Sequence, residues 1–218
     1  MDPTDLPHLF RKGRDLYTEN ATPGTRVYGE EIVREPDAEF RRWDPFRSKL
    51  AAYLLKGGKT TILEGVRSVL YLGGSHGTTV SHLSDLLPGI PIFVIEKSPL
   101  SFAPLLELAR HRENLLPILA DAQLPERYAA DVGIVDLLYQ DIAQRSQARV
   151  FGENASACLD RSGRGLLMLK VRSVSQSRST RSVLAEARRH LHEAGLAAGP
   201  EVDLAPFARD HLAVPVGP

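Results

Sequence analysis

From residue 68 onward, short apolar runs alternate with segments of helical periodicity, and this alternation restricts the fold more than any other feature. The apolar runs span residues 68–72, 92–96, 115–119, 132–139 and 164–170. A strand of a parallel sheet is covered by helices on both faces, so it is apolar along its whole length. Two more strands are predicted at residues 201–204 and 211–216, which makes seven strands in all. The pattern predicts an α/β fold with a mostly parallel seven-stranded sheet and helices on both faces.

The first 55 residues differ from the rest, because short strands and turns replace the alternation. Strands are predicted at residues 9–11, 15–18 and 25–28, separated by glycines. We therefore expect a small β-rich domain over residues 1–55 and an α/β domain over residues 56–218.

A helix is predicted to close the N-terminal domain. Asp44 suits its N-cap and Pro45 its first turn, since proline lacks the N–H that this turn leaves unpaired. Phe46 and Leu50 belong to its expected apolar stripe, and Lys49 lies at the border of that stripe.

The charge is balanced over the whole chain but not locally. The 218 residues include 27 basic and 27 acidic side chains. Proteins that hold nucleic acid unaided usually have a basic excess, because phosphate contacts dominate affinity. Residues 161–189 nevertheless contain eight Lys or Arg and one acid, Glu186, a local charge of 8 − 1 = +7. This segment is either an ordinary solvated basic face or a nucleic-acid contact, and composition leaves both open.

Other features exclude several classes of protein. No apolar run approaches the roughly 18 residues that a membrane span needs, and the N-terminus lacks the pattern of a signal peptide. Cys158 is the only cysteine, and the histidines show no metal-binding spacing. We expect a cytoplasmic protein without a disulfide, a metal site or contact with a membrane.

A glycine-rich loop follows the first predicted strand of the sheet. Gly73, Gly74 and Gly77 lie between residues 69–72 and a helix that begins near Thr78. Strand, glycine turn and helix N-terminus form an arrangement that brings backbone N–H groups close to a nucleotide-like ligand. Glu96 ends the next apolar run, 19 residues after Gly77, where a carboxylate can accept hydrogen bonds from a ribose diol. The expected ligand is an adenosine-type molecule.

Polar residues at other strand ends belong to the same expected site, because parallel sheets bind ligands at the carboxyl ends of their strands. Asp121 can accept from an adenine amine or cap the next turn, and Asp141 projects into the same cleft, with Gln144 one turn later. Lys170 ends an apolar run, where it is either functional or extends to solvent at the sheet rim. His211 precedes the last strand, and a solvent-facing role is the alternative there.

Several segments together resemble one family, the fibrillarins. They lie in the family's order over nearly the whole chain, at residues 27–30, 43–52, 69–82, 120–122, 135–144, 169–173 and 202–214. The resemblance implies a Rossmann-like methyltransferase fold preceded by a small β-rich domain. It implies 2′-O-methylation of ribose in rRNA and tRNA, with S-adenosylmethionine as cofactor and a box C/D RNA as guide. The chain lacks a glycine/arginine-rich extension, so it is similar to the short archaeal form.

The resemblance also assigns residues. The family's catalytic tetrad maps onto Lys49, Asp141, Lys170 and His211. The cofactor-binding positions are the glycine loop (Gly73, Gly74, Gly77), Thr78 and Thr79 at the methionine end, Glu96 at the ribose, Lys97, Asp121 and Ala122 at the adenine, and Asp141 and Gln144. We expect Lys170 to orient and deprotonate the 2′-hydroxyl while Asp141 holds Lys170. Lys49 and His211 would fix the ribose and phosphate.

The sequence departs from the family at two positions, and the resemblance also implies partners. His76 stands where a small residue is usual, and Lys97 stands where an aromatic normally packs on adenine. The implied partners are a Nop5-type scaffold protein, an L7Ae-type kink-turn-binding protein, the guide RNA and its target RNA. The alternatives are a catalytically weak structural subunit of the same particle and a small-molecule O-methyltransferase.

Overall fold

An antiparallel sheet forms the N-terminal part of the chain. The computed structural model describes residues 1–217. Five strands pair in the order β1-β2-β3-β5-β4. Their bounds are β1 Asp2–Pro3, β2 Leu9–Lys12, β3 Asp15–Glu19, β4 Ile32–Arg34 and β5 Glu39–Trp43.

A second, mostly parallel sheet forms the rest of the protein. Its strands are β6 Val69–Leu72, β7 Ile92–Glu96, β8 Leu115–Leu119, β9 Val135–Gln140, β10 Leu159–Lys170, β11 Ala197–Ala198, β12 Val202–Asp203 and β13 His211–Gly217. Seven of them run in the order β11-β13-β10-β9-β6-β7-β8, and β12 pairs with β13 as an eighth. β6 to β10 are mutually parallel, whereas β13 is antiparallel to β10. The predicted α/β fold is confirmed.

Helices cover both faces of this sheet. They are α1 Lys49–Leu55, α2 Thr78–Leu86, α3 Pro99–Ala109, α4 Ala129–Val132, α5 Gln147–Cys158, α6 Val171–Val174 and α7 Thr180–Glu193, with 3₁₀ turns at Thr60–Ile62 and Pro125–Arg127. No helix within residues 1–217 has the length and apolar character needed to cross a membrane.

Two hydrophobic clusters lie on opposite faces of the sheet. Val69 and Tyr71 of β6 belong to one cluster, and Leu70 and Leu72 belong to the other, because successive side chains of a strand point to opposite faces. The first cluster also contains Trp43 of the N-terminal sheet. The N-terminal sheet therefore packs against the α/β part and shares its core, and the boundary at residue 55 stays a prediction.

Two predicted elements of the N-terminal part are wrong. Residues 25–28 form a loop, because the N–H groups of Val27 and Tyr28 donate to the Glu30 carboxylate and not to a neighbouring strand. The helix expected from Asp44 begins at Lys49, with Ser48 as N-cap. Asp44 instead closes a turn by accepting from the Phe46 N–H at 2.9 Å.

Three other boundaries and placements also differ from the prediction. Phe46 lies outside the helix and is 67% exposed, so it takes no part in the expected apolar stripe. The strand predicted at 132–139 begins at Val135, because α4 occupies residues up to Val132. The strand predicted from residue 164 begins at Leu159, and its pairing with β9 is irregular between Leu159 and Arg164.

Candidate functional site

The glycines after β6 are required by close packing. Gly73 has φ +90°, and a Cβ there would lie 2.3 Å from the carbonyl oxygen of Asp141. A Cβ on Gly74 would lie 2.3 Å from Cγ1 of Val94. Gly77 has φ +86°, and its Cβ would lie 2.5 Å from Cδ2 of Leu108. The loop can thus pass between the end of β9 and the β7–α3 unit only because these side chains are missing.

The glycine N–H groups do not act as expected. Those of Gly73 and Gly74 donate to the carbonyl of Ile95 at 2.9 and 3.3 Å, and that of Gly77 donates to Gly74 at 3.0 Å. All three amides are therefore satisfied inside the protein, and the glycines shape the loop instead of presenting donors. His76 is exposed, and its Nδ1 lies 3.2 Å from Oγ of Ser75.

A cavity of about 280 Å³ lies at the carboxyl ends of the strands, beside this loop. We call it the strand-end cavity. It is lined by seven of the predicted cofactor-binding residues, Gly73, Glu96, Lys97, Asp121, Ala122, Asp141 and Gln144, and by Ser75, Ile95, Ala120, Ile142 and Ala143, which sequence reasoning missed. The missed residues adjoin predicted ones in the chain, which is the only signal that could have found them.

The other four predicted cofactor-binding residues lie outside this lining. Gly74 and Gly77 pack against β7 and α3, as described above. Thr78 is the first residue of α2. The hydroxyl of Thr79 donates to Oγ of Ser48 at 3.1 Å and so ties α2 to the start of α1.

Carboxylates line the side of the strand-end cavity formed by β7 and β8. Glu96 is almost buried, and its two oxygens accept from the N–H groups of Ser75 and Ser98, both at 2.8 Å. Asp121 accepts from the Gln123 N–H at 3.0 Å, so it caps a turn and lines the cavity at once. Nζ of Lys97 lies 3.8 Å from Oδ2 of Asp121. The turn-capping role of Asp121 is therefore compatible with a role in the cavity.

The structure brings the four residues of the tetrad to one place. Nζ of Lys49, at the start of α1, donates to Oδ2 of Asp141 at 2.7 Å. Lys170 ends β10 and stands directly opposite His211 in the β10–β13 register. The expected pairing of Asp141 with Lys170 is replaced by the Lys49–Asp141 ion pair.

The electrostatics of His211 show how close these groups are. Burial lowers the pKa of His211 below its ordinary value, and the charges of Lys49 and Lys170 lower it further. The Arg209 carbonyl and Asp141 act in the opposite direction. Nδ1 of His211 lies 2.8 Å from the Arg209 carbonyl oxygen, which can only accept, so Nδ1 carries the hydrogen. In the neutral ring Nε2 is left with a free lone pair.

Gln147 holds the backbone of Lys170, a role that sequence reasoning missed. Gln147 is completely buried; its Oε1 accepts from the Lys170 N–H at 2.8 Å, and its Nε2 donates to the Lys170 carbonyl at 3.1 Å. The same Nε2 donates to the carbonyl of Gln144 at 2.7 Å. This one side chain joins the end of β10 to the loop that carries Asp141.

Comparison with known proteins decides the family. The fibrillarin family model matches residues 8–217. The chain belongs to the fibrillarin family. It is 42% identical, over 94% of its length and 92% of the relative, to a Fibrillarin-like rRNA/tRNA 2′-O-methyltransferase of Methanothermobacter thermautotrophicus.

Two solved fibrillarin structures have the same fold. The fibrillarin of Aeropyrum pernix, solved with natively bound S-adenosyl-L-methionine, is 41% identical with a TM-score of 0.85, over 93% of this chain and 88% of that one. A fibrillarin solved in complex with Nop5p is 36% identical with a TM-score of 0.86, over 97% of this chain and 98% of that one. The sequence resemblance to fibrillarin is confirmed.

Proposed function

We propose that this chain transfers a methyl group from S-adenosylmethionine to the 2′-oxygen of ribose in rRNA and tRNA. The observation that carries the proposal is the position of Asp141, which lines the strand-end cavity and also pairs with Lys49 of the tetrad at 2.7 Å. A nucleotide-like cavity and a cluster of proton-handling side chains therefore share a wall. The activity for which the M. thermautotrophicus relative is named supports the same reaction.

The residues of the strand-end cavity suit S-adenosylmethionine. Gly73 leaves the cavity wall open where a Cβ would meet the backbone of Asp141. Glu96, at the end of β7, presents a carboxylate to a ribose, and Asp121, at the end of β8, presents one to an adenine amine. The bound cofactor supplies an electrophilic methyl group on a sulfonium.

The chain's own residues must hold the ribose and remove the hydroxyl proton. The Lys49–Asp141 pair fixes two charged side chains, leaving the Lys170 ammonium to orient the 2′-oxygen. Such alignment can supply on the order of 7–11 kcal/mol of a displacement barrier. Lys170 remains our proposed base. Neutral His211 is a second candidate, because its Nε2 lone pair is free at neutral pH.

Lys170→Ala tests the assignment. We expect methyl transfer to fall by about a hundredfold or more, the usual contribution of a general base, while cofactor affinity is retained. His211→Gln separates the two candidates, because the proton acceptor is the one whose loss removes the pH dependence of kcat. Full activity of Lys170→Ala would contradict a role for this lysine.

We also propose that the chain acts inside a ribonucleoprotein particle. A related fibrillarin was solved with Nop5p, which supports a Nop5-type scaffold partner. An L7Ae-type protein and a box C/D guide RNA follow from the resemblance, and the neutral net charge agrees with partners that supply much of the RNA affinity. The test is transfer of labelled methyl to a guided target, with the chain alone and with each partner added. Activity of the isolated chain equal to that of the particle would refute the dependence on partners.

A further inference from the structure

A second, more polar cavity adjoins the tetrad. It has a volume of about 640 Å³, and its walls include Arg145, Lys170 and Arg172 together with Ser175 and Ser177. We call it the basic cleft. All the charged residues of its lining are basic, and the serine hydroxyls add neutral hydrogen-bond donors. This combination is the one that proteins use to bind a phosphate group.

The basic cleft is continuous with the site of methyl transfer. Ala143 lines both the basic cleft and the strand-end cavity. Lys170 lines the basic cleft and belongs to the tetrad. A nucleotide whose ribose reaches Lys170 therefore places a neighbouring part of its backbone at the mouth of the basic cleft.

The structure also divides the basic segment of residues 161–189. Arg178 pairs with Glu186, Arg188 with Glu201, and Arg189 with Glu193. These three guanidinium charges are neutralised by acids of the protein, so much of the segment is an ordinary surface.

The residues of the basic cleft keep more of their charge. Arg145 is exposed, and neither Arg145 nor Lys170 makes a salt bridge within residues 1–217. Arg172 lies 3.7 Å from Asp210, but both side chains are about half exposed, so this pair is weak and solvent-screened. The unneutralised positive charge is thus concentrated beside the tetrad.

We infer that the basic cleft binds a phosphodiester of the target RNA strand, next to the methylated ribose, through Arg145 and Arg172. The inference rests on the proposed function. A planar guanidinium can contact two phosphate oxygens at once and so fixes the position of the strand as well as attracting it. Arg145 and Arg172 are positioning residues, because they hold the backbone while the tetrad handles the 2′-hydroxyl.

The test uses the assembled particle with its guided target and compares Arg145→Ala and Arg172→Ala with Arg110→Ala. Arg110 follows α3 at the opposite edge of the sheet, where it pairs only with Glu107. Initial rates give kcat and the KM for target RNA at several salt concentrations, and calorimetry gives the affinity for S-adenosylmethionine.

We expect each cleft variant to raise the KM for target RNA about tenfold, the worth of one charge-assisted hydrogen bond. The slope of log(kcat/KM) against log salt should become shallower by about 0.7 to 0.9 for each phosphate that the variant no longer neutralises. Cofactor affinity should not change. A KM and a salt slope equal to those of Arg110→Ala, in a particle that still transfers methyl, overturn the inference alone. A wild-type particle with no transfer overturns the proposed function and this inference with it.

Discussion

Asp85 joins the N-terminal sheet to α2 through a buried charge network, and its replacement gives the sharpest test of the packing described above. Its carboxylate accepts from Arg41 at 2.8 Å, from Arg112 at 2.6 Å, from the Thr18 hydroxyl at 2.8 Å and from the Ala21 N–H at 3.0 Å. Arg41 and Asp85 are completely buried.

Asp85→Asn keeps the shape of the side chain but removes its charge. In the native protein two guanidiniums, Arg41 and Arg112, are balanced by two carboxylates, Glu30 and Asp85. The variant leaves an uncompensated positive charge that water cannot reach. Breaking a buried pair in this way costs about 3–5 kcal/mol of the free energy of unfolding. For a chain of this size that corresponds to a drop of roughly 10 °C in Tm.

The natural probe for this experiment is Trp43, the only tryptophan of the chain. Its ring stacks on that of His82 with centroids 5.0 Å apart, and His82 accompanies Asp85 on α2. Urea denaturation followed by Trp43 fluorescence and by circular dichroism therefore reports the N-terminal docking and the whole fold separately.

The matched control is Glu107→Gln, which removes a carboxylate from the exposed pair with Arg110. We expect it to change the free energy of unfolding by less than about 0.5 kcal/mol. If Asp85→Asn unfolds within about 1 kcal/mol of this control, the network does not stabilise the fold in the way that its burial implies.

Two further predictions concern the loop after β6 and the pH dependence of stability. Gly73→Ala should lower both Tm and the affinity for S-adenosylmethionine, because its Cβ would lie 2.3 Å from the Asp141 carbonyl; Gly13→Ala, also at positive φ but with nothing within 4 Å, should cost only about 1 kcal/mol, and calorimetry compares the two. Burial, with the charges of Arg41 and Arg112, lowers the pKa of His82 well below its ordinary value of 6.5, so the unfolded chain binds this proton first and stability falls as pH decreases below 6.5. In denaturation series between pH 5 and 8, His82→Gln should reduce this slope by up to about 1.4 kcal/mol per pH unit, and an unchanged slope would show that another group titrates.

The strand-end cavity was largely predictable because parallel strands end at one edge of a sheet. Gly73, Glu96, Asp121 and Asp141 each follow an apolar run in the sequence, and the sheet then brings them together. No long-range contact has to be known for this inference, since the direction of the strands already determines it.

The pairing within the tetrad was not predictable in the same way. The partner of Asp141 is Lys49, 92 residues away in the chain, and their contact depends on how α1 docks against the sheet. Polar side chains also override local patterns. Glu30 turns residues 25–28 into a loop by accepting two of their N–H groups, and a periodicity argument contains no information about that competition.

The position of His211 on β13 has a consequence for the order in which the protein becomes active. β13 is the last strand of its sheet in chain order, and it inserts between β10 and β11. The residues of the strand-end cavity, by contrast, all precede β10 in the sequence. During synthesis or refolding, we therefore expect the ability to bind cofactor to arise before the ability to transfer the methyl group. A folding intermediate without β13 would be loaded but inert, and this order would protect nascent RNA from methylation by half-made enzyme.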